Sequence, residues 1–128
     1  MKVSRLDHLV LTVADLEATV GFYTRVMGMT VRAFGAGRLA LRFGDRQQIN
    51  LHEAGHEFEP KARRPTPGSA DLCFIAEQPL AEWLDHLVGL DVALVEGPVA
   101  RTGALGPMTS VYFRDPDGNL IEVASYTD

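Results

Sequence analysis

The segment DHLVLTVADLEATVGFYTRVMGM (residues 7–29) joins two hydrophobic patterns of different period. Apolar and polar residues alternate as far as Val13, which is the period of a β-strand, so a strand is expected over residues 5–13. Asp15 is a suitable N-cap, and apolar side chains then recur at helical spacing until Gly28 ends the pattern. The segment therefore predicts a strand followed directly by an amphipathic helix.

Three more strands are predicted after this helix, which completes a βαβββ module at about residues 1–53. The strand-like runs are MTVRAF, RLALRFG and QQINLHE, and glycine-containing turns separate them. Residues 54–68 carry three prolines and no hydrophobic period, so they are expected to link this module to the rest of the chain.

The second half repeats the plan at about residues 69–128. A strand is predicted over 69–76, then a helix that begins near Pro79 and stops at Gly89. The remaining predictions are a strand near 91–96, a glycine-rich loop over 97–107, and a hairpin formed by MTSVYFRD and NLIEVAS around an Asp-Gly turn. Residues 1–128 are thus interpreted as one α+β domain of two βαβββ modules.

Polar residues interrupt the predicted strands at matching places in the two modules. A pseudo-twofold relation between the modules would bring the equivalent positions together. Imidazole and carboxylate groups on inward strand faces are costly to bury without partners, and a shared metal or a wet polar cavity removes that cost. These residues are His8, Asn50, His52, Asp71 and Glu122.

Composition excludes several classes of partner. The net charge of −5 leaves no basic stripe for nucleic acid. Residues 1–8 lack a hydrophobic signal core, and no apolar run is long enough to cross a membrane. The single cysteine, Cys73, permits no internal disulfide and is typical of a reducing cytosol. A cytoplasmic protein with neither a nucleic-acid nor a membrane partner is therefore expected.

Two long motifs resemble the vicinal oxygen chelate superfamily, which includes glyoxalase I, fosfomycin-resistance proteins, extradiol dioxygenases and bleomycin-resistance proteins. They are DHLVLTVADLEATVGFYTRVMGM (residues 7–29) and YFRDPDGNLIEVASY (residues 112–126). FEPKARRPTPGSADLCFI and EGPVARTGALGPMTSVYFRDPDGN are similar to a small subgroup of glyoxalase-domain-containing and virulence-associated proteins. The resemblance implies sheets that curl around a metal cup, and chains that pair as homodimers.

The resemblance also implies roles for single residues. By position, His8, Asp71, Glu122 and Asn50 match the metal ligands of the family, and the metal would be a divalent ion of Mn, Fe, Ni, Zn or Mg. The other candidates are His52 and Tyr112 for proton transfer, Ser110 at the cavity wall, and Arg101 for an anionic substrate group.

Most of these candidates also have a structural explanation, and Glu122 is the least easily explained in this way. His8 is compatible with a core histidine, Asp71 with a turn cap and His52 with a solvated strand end. Asn50 can bond a neighbouring side chain, and Tyr112 can be plain sheet packing. Arg101 is also compatible with a solvated loop arginine.

Two functions from different classes fit the sequence. The first is a divalent-metal-dependent enzyme, a lyase, isomerase or ring-cleaving dioxygenase, that acts on a small oxygen-chelating substrate. It is not expected to be a true glyoxalase I, because Asn50 stands where glyoxalase I has a glutamate base and an amide cannot ionise. The alternative is a metal-free drug-binding protein of the bleomycin-resistance type. Retention of His8 and Glu122 favours the enzyme.

Overall fold

The computed structural model describes residues 1–127, and the chain divides into two compact units between Pro67 and Gly68. The first unit contains β1 (His8–Val13), α1 (Leu16–Arg25), β2 (Thr30–Phe34), β3 (Arg38–Phe43) and β4 (Gln47–Glu53). The second unit contains β5 (Asp71–Ile75), α2 (Leu80–Gly89), β6 (Glu96–Gly103), β7 (Gly106–Arg114) and β8 (Leu120–Tyr126). Both units therefore have the predicted βαβββ order.

The two sheets have the same topology. The strand order is β1-β4-β3-β2 in the first unit and β5-β8-β7-β6 in the second. In each sheet the first strand pairs in parallel with the last, and all other pairs are antiparallel. The predicted fold class is confirmed, while the assignment of both modules to one domain stays a prediction.

The core of the first unit forms where α1 contacts β2, β3 and β4. Asp15 caps the helix as predicted, because its side chain accepts a hydrogen bond of 3.1 Å from the backbone N–H of Ala18. The buried side chains of this core come from one side of the strands and one stripe of the helix: Leu11, Val13, Thr19, Tyr23, Val26, Leu41, Ile49 and Leu51. Neither helix in residues 1–127 is long and apolar enough to cross a membrane.

The prediction for residues 91–107 was wrong. No strand covers 91–95, and β6 instead occupies Glu96–Gly103, most of which was assigned to a loop. The register of β6 shifts near Gly97, which has a φ of 112°. A Cβ at Gly97 would lie 2.6 Å from the backbone oxygen of Ser110. This glycine therefore allows the close approach of β6 to its partner strand, whereas glycine had been taken as a strand breaker.

A buried polar network ties the β7–β8 turn to the start of β5. Asp115 Oδ1 accepts from the backbone N–H groups of Asp117 and Asn119, and its Oδ2 accepts from Asn119 Nδ2 at 2.7 Å. Asn119 Oδ1 in turn accepts from the backbone N–H of Ala70 at 2.8 Å. The predicted turn is confirmed, and the side-chain amide of Asn119 joins this turn to Ala70, just before β5.

We expect Asn119→Ala to lower the free energy of unfolding by about 2–4 kcal/mol, because it leaves the Ala70 N–H and one Asp115 oxygen without their partner. Gln78→Ala, which removes an exposed amide, serves as the matched control and should change stability by less than about 0.5 kcal/mol. Urea unfolding followed by circular dichroism measures both. Equal midpoints for the two variants would contradict the importance of this network.

Candidate functional site

The strand register places one set of side chains on the side of the first sheet opposite the apolar core. We call this side the first polar face. Three predicted site residues, His8, Asn50 and His52, lie on it together. The first polar face consists of His8, Val10, Thr12, Thr30, Arg32, Phe34, Arg38, Ala40, Arg42, Gln48, Asn50 and His52.

His8 begins β1 and is oriented by the residue before it. Its Nδ1 lies 2.9 Å from Asp7 Oδ2, and 43% of its side chain is exposed. The hydrogen bond with His8 lowers the pKa of Asp7. The interpretation of His8 as a core histidine is wrong, since the structure exposes the ring. With the proton on Nδ1, the lone pair of Nε2 is available to a ligand.

Asn50 is buried in the middle of β4. Its Oδ1 accepts a hydrogen bond of 2.7 Å from Gln48 Nε2, and the residue is 6% exposed. The amide therefore bonds a neighbouring side chain, which was one of the two interpretations of this position. One lone pair of Oδ1 remains for a second contact.

His52 is buried on the same face, so the solvated interpretation of this residue is wrong. It is 4% exposed, and its ring meets the ring of Phe58 edge-on with 5.7 Å between centroids. Within the described chain, Nε2 is buried without a hydrogen-bond partner. Burial, and then the positive charge of Arg38, lower the pKa of His52 below its usual 6.5. The imidazole is therefore neutral at pH 7.

The corresponding side of the second sheet, which we call the second polar face, holds the remaining predicted residues. Glu122 lies at its middle, flanked along β8 by the buried Ile121 and Val123. Ser110, which is fully buried, donates a hydrogen bond of 2.6 Å to Glu122 Oε2. The second polar face includes Asp71, Cys73, Ile75, Arg101, Ser110, Tyr112, Arg114, Leu120, Glu122, Ala124 and Tyr126.

Tyr112 is positioned by a chain of charged contacts. Its hydroxyl accepts a hydrogen bond of 3.0 Å from Arg101 Nε, and Arg101 Nη2 lies 3.3 Å from Glu96. Arg101 thus lies on a strand and contacts its neighbours, which corrects the loop assignment, while its side chain is exposed as that interpretation expected. Burial raises the pKa of Tyr112 above its usual value, while Arg101 opposes the rise. Tyr112 is therefore protonated at neutral pH and suited to donate a proton.

Asp71 and Cys73 lie on the exposed edge strand β5. Cys73 pairs with Glu122 across the parallel ladder. Partial burial of the thiol, and then the charge of Glu122, raise the pKa of Cys73 from 9.0 to about 11. Among residues 1–127, no three histidine, cysteine, aspartate or glutamate side chains are grouped as a metal site requires.

Sequence reasoning missed Arg38, Phe34 and Phe58. Arg38 lies over both rings, with its Cζ 5.1 Å from the Phe34 centroid and 4.9 Å from the Phe58 centroid. The signal was available in RLALRFG, where alternation puts Arg38, Ala40 and Arg42 on one side of β3. Phe58 gave no signal, because it lies in an aperiodic segment.

The raised pKa of Cys73 predicts slow alkylation by iodoacetamide at pH 8.5, since only the thiolate reacts. Glu122→Gln removes a negative charge beside the thiol, lowers its pKa and should speed the reaction about threefold or more. Glu82→Gln, an exposed change in the first turn of α2, is the control and should leave the rate unchanged. Equal rates for Glu122→Gln and the unaltered protein would show that the two side chains do not interact.

Known proteins with similar sequences cover the whole chain. The glyoxalase domain-containing protein RDO1 of Mycosarcoma maydis is 56% identical over 128 residues, which are 100% of this chain and 72% of that protein. The crystal structure of the virulence protein STM3117 from Salmonella typhimurium is 53% identical, with a TM-score of 0.97 and coverage of 99% of this chain and 100% of that one.

A more distant structure is that of lactoylglutathione lyase from Agrobacterium tumefaciens. It is 26% identical, with a TM-score of 0.73 and coverage of 98% of this chain and 96% of that one. The family model of the glyoxalase, bleomycin resistance protein and dioxygenase superfamily matches residues 5–123. The paired βαβββ units, the two polar faces and these similarities together show that the chain belongs to the Glyoxalase/Bleomycin resistance protein/Dioxygenase superfamily.

Proposed function

We propose that the chain is a divalent-metal-dependent enzyme that acts on a small molecule with two neighbouring oxygen atoms. The reaction class is that of a lyase, an isomerase or a ring-cleaving dioxygenase. Membership of the superfamily supports an activity of this kind, and the similar lactoylglutathione lyase is an enzyme by name.

The observation that carries the proposal is the contact between Asp7 and His8. Metal-binding histidines commonly donate one ring N–H to a carboxylate, which fixes the ring and raises the basicity of the other nitrogen. The distance of 2.9 Å between His8 Nδ1 and Asp7 Oδ2 has this form. An exposed histidine with no ligand gains little from such an arrangement, since exposed ion pairs contribute weakly to stability.

The donor types also fit a divalent ion. We propose His8, Asp71, Glu122 and Asn50 as the ligands, one nitrogen donor and three oxygen donors, a set that Mn²⁺, Fe²⁺, Ni²⁺, Zn²⁺ and Mg²⁺ all accept. Ser110 supports this assignment, because its hydrogen bond to Glu122 Oε2 holds the carboxylate in a fixed orientation. Such an ion, when bound, polarises a substrate carbonyl.

The remaining residues of the two polar faces would then position the substrate and move protons. Tyr112 stays protonated and can donate, and Arg101 holds its hydroxyl in place. Neutral His52 has the form required of a general base. Arg101 also stays a candidate for a substrate anion, although all three of its nitrogen atoms already contact Tyr112, Ala100 and Glu96.

Homodimer formation and a cytoplasmic location stay predictions, as does the absence of a nucleic-acid partner. Exposed apolar side chains on the edge strands β1 and β5 support pairing of chains, since Val10 is 44% exposed and Ile75 is 53% exposed.

Metal analysis of protein purified without chelators or a histidine tag tests the proposal. We expect His8→Ala and Glu122→Gln each to reduce bound metal strongly without unfolding the chain, and Asp71→Asn to have a smaller effect. Asp7→Asn should weaken metal binding by about tenfold, because it removes the group that orients His8. His56→Ala, at an exposed histidine, is the control. Unchanged metal content in both His8→Ala and Glu122→Gln would refute the ligand assignment.

We also expect no useful lactoylglutathione lyase activity. That reaction moves a proton between adjacent carbons and needs a base, and Asn50 occupies the position of that base here. Loss of a positioned base typically lowers the reaction rate by about 10²–10⁴-fold. Assays with the methylglyoxal–glutathione hemithioacetal and several divalent metals measure this. Turnover at ordinary enzyme rates would contradict the expectation, and its loss in His52→Gln would then identify His52 as the replacement base.

A further inference from the structure

The guanidinium of Arg38 contacts two aromatic rings. It lies over Phe34 from β2 at 5.1 Å and over Phe58 from the segment after β4 at 4.9 Å. A guanidinium is planar, and contacts with aromatic rings leave its N–H groups able to form hydrogen bonds. The two ring contacts therefore restrict the side chain of Arg38 before binding, while its N–H groups can still meet a ligand.

His52 is the neighbour of Arg38 across the strand ladder. Leu39 pairs with Leu51, so the preceding Arg38 and the following His52 project to the same side of the sheet. The Phe58 ring contacts both side chains. His52 Nε2 is buried and has no hydrogen-bond partner among residues 1–127, an arrangement that is costly unless something binds there.

Glu57 and Glu59 carry the carboxylates that act electrostatically on His52, and both contact Lys61. Lys61 Nζ lies 3.0 Å from Glu59 and 3.7 Å from Glu57, and the backbone N–H of Gly55 also donates to Glu57. None of the ion pairs within residues 1–127 includes Arg38. The first polar face as defined above contains three arginines and no acidic residue, so its charge is unbalanced.

We propose that Arg38 and His52 form a subsite for one acidic group, a carboxylate or a phosphoryl oxyanion, of the small molecule that the chain binds. The in-plane edge of Arg38 forms two parallel hydrogen bonds with the anion, and His52 Nε2, when it carries the imidazole proton, donates a third. The subsite places the acidic group between the guanidinium of Arg38 and the ring of His52.

This assignment rests on the proposed function only in identifying the anion as part of the substrate. Anion binding at Arg38 needs no metal, so His8→Ala should leave anion binding intact while it reduces bound metal strongly. Failure to bind metal would count against the proposed function alone, and failure to bind anions would count against this inference alone.

Nuclear magnetic resonance titration of metal-free protein tests the subsite. Metal is removed with a chelating resin, because soluble chelators are themselves polycarboxylates. Propionate and inorganic phosphate are added in turn at constant ionic strength, and the Nε–Hε resonance of Arg38 is followed. We expect saturable shifts with a Kd on the order of millimolar for at least one of the two anions, and the stronger of them identifies the preferred acidic group.

Substitutions distinguish a specific anion site from non-specific attraction of anions to positive charge. Arg38→Met should weaken binding at least about tenfold, measured on backbone amides of β3 and β4, and His52→Phe, which keeps a ring against Phe58, should weaken it by a smaller factor. Arg25→Met, in the last turn of α1, is the matched control and should bind as the unaltered protein does. If Arg38→Met fails to fold, Arg38→Lys replaces it, since lysine cannot form the two parallel bonds.

Three results would overturn the assignment. The first is equal affinity in the Arg38 variant and the unaltered protein. The second is a set of shifts that sodium chloride reproduces in full, which indicates screening alone. The third is the absence of any saturable shift with either anion.

Discussion

Parallel pairing between the first and last strands of each unit is the interaction on which the arrangement of both polar faces depends. In the first unit it sets Thr12 beside His52, and in the second it sets Cys73 beside Glu122. Because side chains alternate across a strand, this pairing also decides which residues face the apolar core and which face away from it. A strand that is first in sequence thereby becomes the neighbour of a strand about forty or more residues later.

Much of the fold could be predicted, because local patterns dominate it. Asp15 begins α1 as its N-cap, and Gly89 is the last residue of α2. The exception is β6, where Gly97 and the proline after it indicated a loop. Pairing with β7 outweighs that local preference, since the ladder satisfies the backbone hydrogen bonds of this segment. Such pairing depends on residues distant in sequence and leaves no local pattern.

The site was predictable at the level of strand faces, but the state of each side chain was not. Alternation placed His52 beside Asn50, but it carried no information on Phe58, which lies over His52 from an aperiodic segment. Burial of His52 and exposure of His8 therefore could not be predicted, because both depend on what covers the face. The contact of Arg101 with Tyr112 was hidden for the same reason that β6 was missed.

Each sheet has a packed side and a polar side, and substitutions on the two sides have different consequences. Side chains such as Ile49 and Val123 are constrained by volume, and changes there alter stability. Side chains of the polar faces can be exchanged one at a time while the backbone pairing stays the same. A point substitution can therefore give the scaffold a new ligand chemistry. Insertion of one residue in β4, in contrast, would turn the following side chains of the strand to the opposite face, and it would disrupt the apolar core and the polar face together.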